Sequence, residues 1–323
     1  MRWTKMAMIK VMQPVYFKYR PFDERTVQLL CADEVYFADP STFNDPLDTK
    51  PRVEPDCDVP TLERTVQELV RLRVAKEMQA GARTVHYRGP KTMAHIDKHS
   101  LDAGVRAIDQ LRYAATDPEY GDEPNILSIL LAHEIERELL MQYDKGILSL
   151  ASRYDCPLMW SHYGAQHRGL CIGYAVPKEA QSSLHQVQYD GDRNVRASEV
   201  AKMVLQHDDQ ARQAVNDAVL LRKAPDWKYE KEWRLLGNRG SRDSPLELVD
   251  VTFGMRCPST IMHTVARMLA DRDMPVAFHV MHEVNGKFRL DRHTLDVDEL
   301  SAAYPRRSLS MYDGFEAIDE SQG

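Results

Sequence analysis

The sequence predicts an α+β fold: a bent or split, mostly antiparallel sheet interrupted by a helical insertion at about 56–145. Three observations predict it. Short β-prone runs rich in Val, Ile, Tyr and Phe gather at both ends of the 323-residue chain. Between them lie long stretches whose apolar residues recur at helical spacing. Near the end, Asn285-Gly286 between two β-prone runs is a two-residue hairpin turn, which makes its strands antiparallel.

The elements follow in order. Residues 15–20, Val-Tyr-Phe-Lys-Tyr-Arg, are aromatic and β-prone and form a first strand closed by Pro21. Asp23 then caps a short helix carrying Val27, Leu29 and Leu30. A second strand at 35–38 runs into the turn-rich loop 39–48. From 61 to 79, Leu62, Val66, Leu69, Val70 and Val74 recur on one helical face. The stretch 82–100 is polar and mixed, 101–114 is a helix, and 116–122 is a loop. Pro124 opens a fourth helix through Ile126, Leu130, Ile135 and Leu139. Strands return at 147–150, 169–174 and 186–189, with a helix or turn at 159–163 after Pro157. Residues 198–221 are helical, with a break at Asp208-Asp209. Residues 232–236 form a strand closed by Gly237, and 246–253 another ended by Gly254. Ser259 caps a helix to about 271, the hairpin pairs 276–283 with 287–290, and the tail after Pro305 is polar and loose. The whole reads as one domain with a helical insertion, plus a tail at 305–323.

Composition narrows the class. The chain is 43% hydrophobic and 28% charged, an ordinary globular balance, and its net charge of -7 opposes a broad nucleic-acid footprint. No apolar run is long enough to span a bilayer. At the start, Lys10 and Gln13 break the apolar run that a signal peptide needs. The five cysteines (31, 57, 156, 171 and 257) form no Cys-x-x-Cys pair, which fits a reducing cytoplasm.

Three constellations carry chemistry. Glu230-x-Glu232, read as strand, places both carboxylates on one face with Arg234, and Lys231 and Trp233 on the other. Like charges so placed need a cation, an Arg or a substrate hydroxyl between them. The bland alternative is a solvated edge strand with a weak Glu–Arg pair. The second is Trp160-Ser161-His162-Tyr163 with His167, where a helix would set Tyr163 and His167 one turn apart. Its His spacing is wrong for a helical zinc site, and Ser161 and His162 lack a visible orienting acid. Its aromatics suit stacking on a flat ring, or else a core cluster around a satisfied His. The third is Asn44-Asp45 in the loop, able to meet ribose hydroxyls or a divalent ion, or simply to build the turn. Lys18 and Arg20 share a strand face and can meet a phosphate.

These residues resemble a bacterial family of unknown function, DUF2971. The resemblance rests on Lys18-Tyr19-Arg20, Phe37-Ala38-Asp39-Pro40, Phe43-Asn44-Asp45-Pro46-Leu47-Asp48 and Leu158-Met159-Trp160-Ser161-His162-Tyr163. It continues through His167-x-Gly169, Lys223, Trp227, Tyr229-Glu230-Lys231-Glu232-Trp233-Arg234 and Phe253-Gly254. A weaker resemblance is to ADP-ribosyltransferases of the Arg–Ser–Glu type, with Arg20, Ser41-Thr42 and Glu230-x-Glu232 in the corresponding order and Phe43 standing in place of a second Ser. That second resemblance implies NAD as substrate. Glu232 would hold the ribose 2′-hydroxyl and the developing sugar cation, and Glu230 would orient or deprotonate the acceptor. Arg20 would hold the diphosphate, and Trp160, Tyr163 or Tyr19 would stack on nicotinamide.

The implied site has Glu232, Glu230 and His162 as catalytic groups. Lys18, Tyr19, Arg20, Asn44, Asp45, Trp160, Ser161, Tyr163 and Arg234 surround NAD, and no metal is called for. The expected function is an NAD-consuming transferase acting on a macromolecular acceptor, protein or nucleic acid, as a toxin or phage-defence effector in the cytoplasm and not on a membrane. Two alternatives stand beside it. One is a Mg²⁺-dependent nuclease or hydrolase using Asp45, Asp48, Glu230 and Glu232. The other is a non-catalytic binding or scaffold protein.

Overall fold

A computed structural model describes residues 13–87, 89–121 and 123–306. The start of the chain and the tail beyond 306 lie outside the described residues. The chain is α+β, with strands that pair mostly antiparallel.

In chain order the first elements are β1 (Val15–Arg20), α1 (Glu24–Ala32) and β2 (Glu34–Phe37), a 3₁₀ turn at Pro40–Thr42, and β3 (Arg52–Glu54). Three helices follow: α2 (Val59–Thr84), α3 (Thr92–Ala114) and α4 (Ile126–Gln142). Next come β4 (Lys145–Ala151), α5 (Pro157–His162), β5 (Leu170–Ala175), α6 (Lys178–Gln181), β6 (Leu184–Gln186) and β7 (Asn194–Arg196). After α7 (Ala197–Leu205) and α8 (Asp209–Leu220), a 3₁₀ helix at Pro225–Glu230 leads into β8 (Glu232–Asn238). The rest is β9 (Gly240–Asp243), β10 (Glu247–Phe253), α9 (Ser259–Met268), β11 (Ala277–Glu283), β12 (Leu290–Thr294) and α10 (Val297–Ala303).

Local chemistry explains most boundaries. Asp23 caps α1 as expected, its carboxylate accepting from the Thr26 N–H at 2.8 Å. The break at 208 is real: Asp208 accepts from the N–H groups of Gln210 and Ala211 and starts α8 afresh. Other expectations shift. The polar stretch 82–100 is largely helix, the end of α2 and the first turns of α3. The strand expected at 186–189 is β6, ending at Gln186. Gly237 does not end β8, which runs to Asn238. Ser259 is the first residue of α9 and not its cap, the N-cap being Pro258.

Contacts divide the chain into two compact units. Among the described residues the first comprises 13–35, 150–182 and 241–306. Its strands lie in the order β12-β11-β10-β5-β1. All neighbours are antiparallel except β10 and β11, which run parallel. All six residues of β5 are buried, so it reads as a continuous apolar run, as central strands do.

The second unit comprises 36–149 and 183–240. Here α2 packs on α3, α4 and α7, with Leu62, Val66, Leu69 and Val70 buried along one stripe. The core extends through Leu131, Ile135 and Leu139 of α4 and Val200 and Val204 of α7 to Val215 and Val219 of α8. Within this unit β8 pairs antiparallel with β6, and β3 runs parallel to β7.

Candidate functional site

The second unit holds a buried charge network around the Glu-x-Glu pair. Glu230 and Glu232 converge, but not by strand alternation. Glu230 ends the 3₁₀ helix, Lys231 turns through a left-handed backbone (φ 46°), and Glu232 opens β8. The expected three-residue strand is therefore a helix-to-strand turn, and the exposed Lys231 is its pivot. The cation that two converging carboxylates require is Lys223. Its Nζ donates to Glu230 Oε2 at 2.6 Å and to Glu232 Oε2 at 3.0 Å, and lies 3.6 Å from Asp48 Oδ2. Arg234 projects from β8 beside Glu232, as the period-two pattern predicts. Its Nε donates to Glu232 Oε1 at 2.9 Å, its Nη2 to Asp48 Oδ2 at 2.6 Å and its Nη1 to the Leu220 carbonyl at 2.7 Å.

The side chains of Asp48, Lys223, Glu230, Glu232 and Arg234 are each at most 5% exposed, so the solvated-edge alternative does not describe this pair. Ionisation is held by mutual pairing. Burial pushes the Glu232 carboxyl up, but Arg234 and Lys223 outweigh it and hold the group well below the usual carboxylate range. Burial likewise opposes the charges of Arg234 and Lys223, and their carboxylate partners raise both. The Glu232 N–H donates to the Tyr189 hydroxyl at 2.9 Å, and burial pushes that phenol up to about 12. One acceptor stays open: Asp48 Oδ1 is buried with no hydrogen-bond partner among the described residues.

The 43–48 loop is tied to the same place. Asp45 Oδ1 accepts from the Leu47 N–H at 2.8 Å, the turn-building role foreseen as the simple alternative. Its Oδ2 accepts from the Trp227 indole N–H at 2.8 Å. The Lys223 ammonium lies 5.0 Å from the Trp227 ring centroid, and the Arg234 guanidinium 5.4 Å from that of Phe43. Asn44, next to Asp45, is exposed.

The Trp160 block belongs to the first unit and is a packing device. Trp160 is 0% exposed, and its indole N–H donates to the Tyr154 carbonyl at 2.8 Å. Tyr19 packs edge-on against it at 5.2 Å, and His167 stacks at 6.1 Å between centroids. Stacking on a ligand ring would require the indole to leave these contacts. Tyr163 and His167 are not one helical turn apart. The helix stops at His162, and Ala165, Gln166 and His167 all take left-handed backbone angles (φ 49°, 56° and 67°). That turn swings the His167 carbonyl to accept from the Arg256 N–H at 2.8 Å, and its oxygen lies 2.2 Å from where a Cβ on Gly254 would sit. Only glycine fits there. Burial and the nearby Arg256 lower the His167 pKa. Ser161 and His162 are exposed, and the Ser161 hydroxyl donates back to the Pro157 carbonyl.

The residues singled out from sequence thus fall into two groups. Asn44, Asp45, Glu230, Glu232 and Arg234 lie in the second unit, and Asp45, Glu230, Glu232 and Arg234 join the network just described. Lys18, Tyr19, Arg20, Trp160, Ser161, His162 and Tyr163 lie in the first. Tyr19 is 5% exposed, and its hydroxyl donates to the Arg153 carbonyl at 3.0 Å. Sequence reasoning missed the roles of Lys223 and Trp227. The signal was present: two converging carboxylates demand a cation, and Lys223 is the Lys upstream of the pair that sits in the motif string. For the alternative Mg²⁺ reading, the ammonium of Lys223 already occupies the point where the carboxylates converge. Among the described residues no group of His, Cys, Asp or Glu is disposed to hold a metal.

Residues 159–235 match the family model "Protein of unknown function (DUF2971)". No curated protein and no solved structure matches the chain. No helix of the described residues is long and apolar enough to cross a membrane.

Proposed function

We propose from the chain's own residues that it is an NAD-consuming enzyme of the ADP-ribosyltransferase kind; the family model matched over residues 159–235 names no activity. The observation that carries this reading is Glu232: a buried carboxylate kept ionised by Arg234 and Lys223, with a second carboxylate, Glu230, converging on the same ammonium. Cleavage of the nicotinamide–ribose bond develops positive charge on the sugar. A fixed, ionised carboxylate in a water-poor site stabilises that charge without reorganising. The depressed pKa makes Glu232 a weak base, so its role is electrostatic and deprotonation of the acceptor falls to Glu230. Substrate entry requires Lys223 to leave the carboxylate pair and the 43–48 loop to open. The acceptor is a macromolecule, protein or nucleic acid. Depletion of NAD or modification of a target is the means by which a cytoplasmic toxin or phage-defence effector would act.

The test is incubation of the purified chain with labelled NAD and a bacterial lysate. Transfer of label or release of nicotinamide is expected from the wild type. Glu232→Gln should reduce it at least a hundredfold while the circular dichroism spectrum is retained. NAD left intact by the wild type with lysate present would refute the reading.

A second reading is favoured by the mutual pairing of the charges: a non-catalytic ion cluster that fixes the 43–48 loop against Trp227 and β8. It expects no turnover and a loss of stability on removal of any member.

A further inference from the structure

The second unit holds an open cavity that has no part in either reading. It lies between α2, α3 and α4 and has a volume of about 430 Å³. Both α3 and α4 pack along α2 but barely touch each other, so the space between them stays open. Ala103 and Ala107, which α3 turns toward that space, are too short to fill it. With Val74 of α2 and Leu111 of α3 they make an apolar floor that rests on the helical core.

Each of the three helices also lends the cavity one arginine: Arg73 from α2, Arg106 from α3 and Arg137 from α4. Two of them are fixed by neighbours. Arg73 holds the fully buried carboxylate of Glu138 through Nε at 2.7 Å and Nη2 at 3.0 Å, and its Nη1 donates to Glu77 at 3.2 Å. Arg137 donates to Glu134 and lies 3.5 Å from Glu138. The carboxylates of Glu77, Glu134 and Glu138 are thus all engaged by Arg73 and Arg137. Arg106 is exposed and makes no hydrogen bond and no ion pair among the described residues. Its planar fork of N–H donors is left for a ligand, and that fork matches a carboxylate or phosphate.

An apolar floor beside an unengaged guanidinium selects a ligand that has both characters. An inorganic anion has nothing to bury on the floor, and a neutral apolar molecule has nothing to offer Arg106. The volume falls within the range of about 300–1,000 Å³ usual for small-molecule sites, which are likewise mostly apolar with a few polar groups that fix orientation. We propose that this cavity binds a small organic oxyanion, its apolar body on Ala103, Ala107, Val74 and Leu111 and its anionic head on Arg106. The site does not rest on the transferase reading, since it needs neither Glu232 nor NAD cleavage.

The experiment is calorimetric titration and thermal unfolding of the full chain at constant ionic strength with naphthyl phosphate and with naphthoate. Inorganic phosphate and naphthol serve as the separate halves of the ligand. At least one of the two organic anions should bind at least tenfold more tightly than either half and raise the thermal midpoint by mass action. The tighter of the two identifies the head group. Arg106→Met should weaken that binding at least tenfold and leave the midpoint of the free protein unchanged, because Arg106 has no partner to lose. Ala107→Leu tests the floor with every charge in place. It fills open space and not a packed core, so it should abolish binding without lowering the midpoint of the free protein. Organic anions that bind no better than their halves, or binding that survives undiminished in Arg106→Met, overturn the site.

Discussion

Arg234 shows how much one residue can hold in place. Its guanidinium contacts Glu232, Asp48 and the Leu220 carbonyl with no exposure to water. Removing it leaves the buried carboxylates of Asp48, Glu230 and Glu232 with the Lys223 ammonium as their one remaining cation in the network described. Breaking a buried pair by deleting one partner costs about 3–5 kcal/mol. Arg234→Met should therefore lower urea stability by that order. Arg234→Lys should recover only part, because an ammonium cannot reproduce three directed contacts. The same network fixes the acid limit. The folded-state pKa of Glu232 is depressed, so its contribution is complete above the unfolded value, about 4.3, and is lost as pH falls below it. Unfolding free energy of the wild type should fall with positive slope against pH below about pH 4. Glu232→Gln should flatten that slope, and an unchanged slope in the variant would remove Glu232 from the account.

At the scale of elements, the segment 230–232 separates what the sequence states from what it withholds. Propensity and capping marked β1, the start of α1 and the break before α8, because those signals are local. The left-handed pivot at Lys231 has no local signal, since lysine has no preference for φ above zero. The run Ala165-Gln166-His167 is hidden in a similar way: none is Gly, Asn or Asp, the residues that most readily take left-handed angles. The early start of α3 was hidden differently. Its buried positions are Ile96, Ser100, Gly104 and Ile108, an i,i+4 stripe whose small members do not register as apolar. They allow close approach to α2, where a Cβ on Gly104 would stand 2.7 Å from the Gln67 carbonyl oxygen. A prediction follows for the pivot. Lys231→Val forces a β-branched residue into left-handed geometry and should cost about 1–2 kcal/mol. Lys231→Gly should be neutral or stabilising in the same urea titration. Equal destabilisation by both would show that the lysine side chain, and not the backbone angle, matters.

The family-matched stretch is not by itself a structural unit, and this sets a test at the scale of the molecule. Residues 159–235 contain Trp160, Lys223, Glu230, Glu232 and Arg234, yet Tyr19 and Tyr154, which hold Trp160, and Asp48, which meets Arg234, lie outside them. β5 is buried between β1 and β10, both outside that range, and all its backbone pairing depends on them. Asp48 reaches Arg234 from 186 residues upstream. The core beneath α7 and α8 is completed by α2 and α4, also outside it. A fragment of 159–235 would expose the all-buried strand β5 with unpaired edges and leave Arg234 one carboxylate short. The fragment should therefore show no cooperative thermal transition and narrow amide shift dispersion, whereas a chain spanning 13–306 should unfold cooperatively. Cooperative unfolding of the short fragment would mean that the pairing described for β5 is dispensable. The polar residues of this stretch are interpretable only with the segments that close around them: Lys223 and Arg234 meet the charge of Glu230 and Glu232 from nearby in the sequence, while Asp48 joins them from a position no local reading connects.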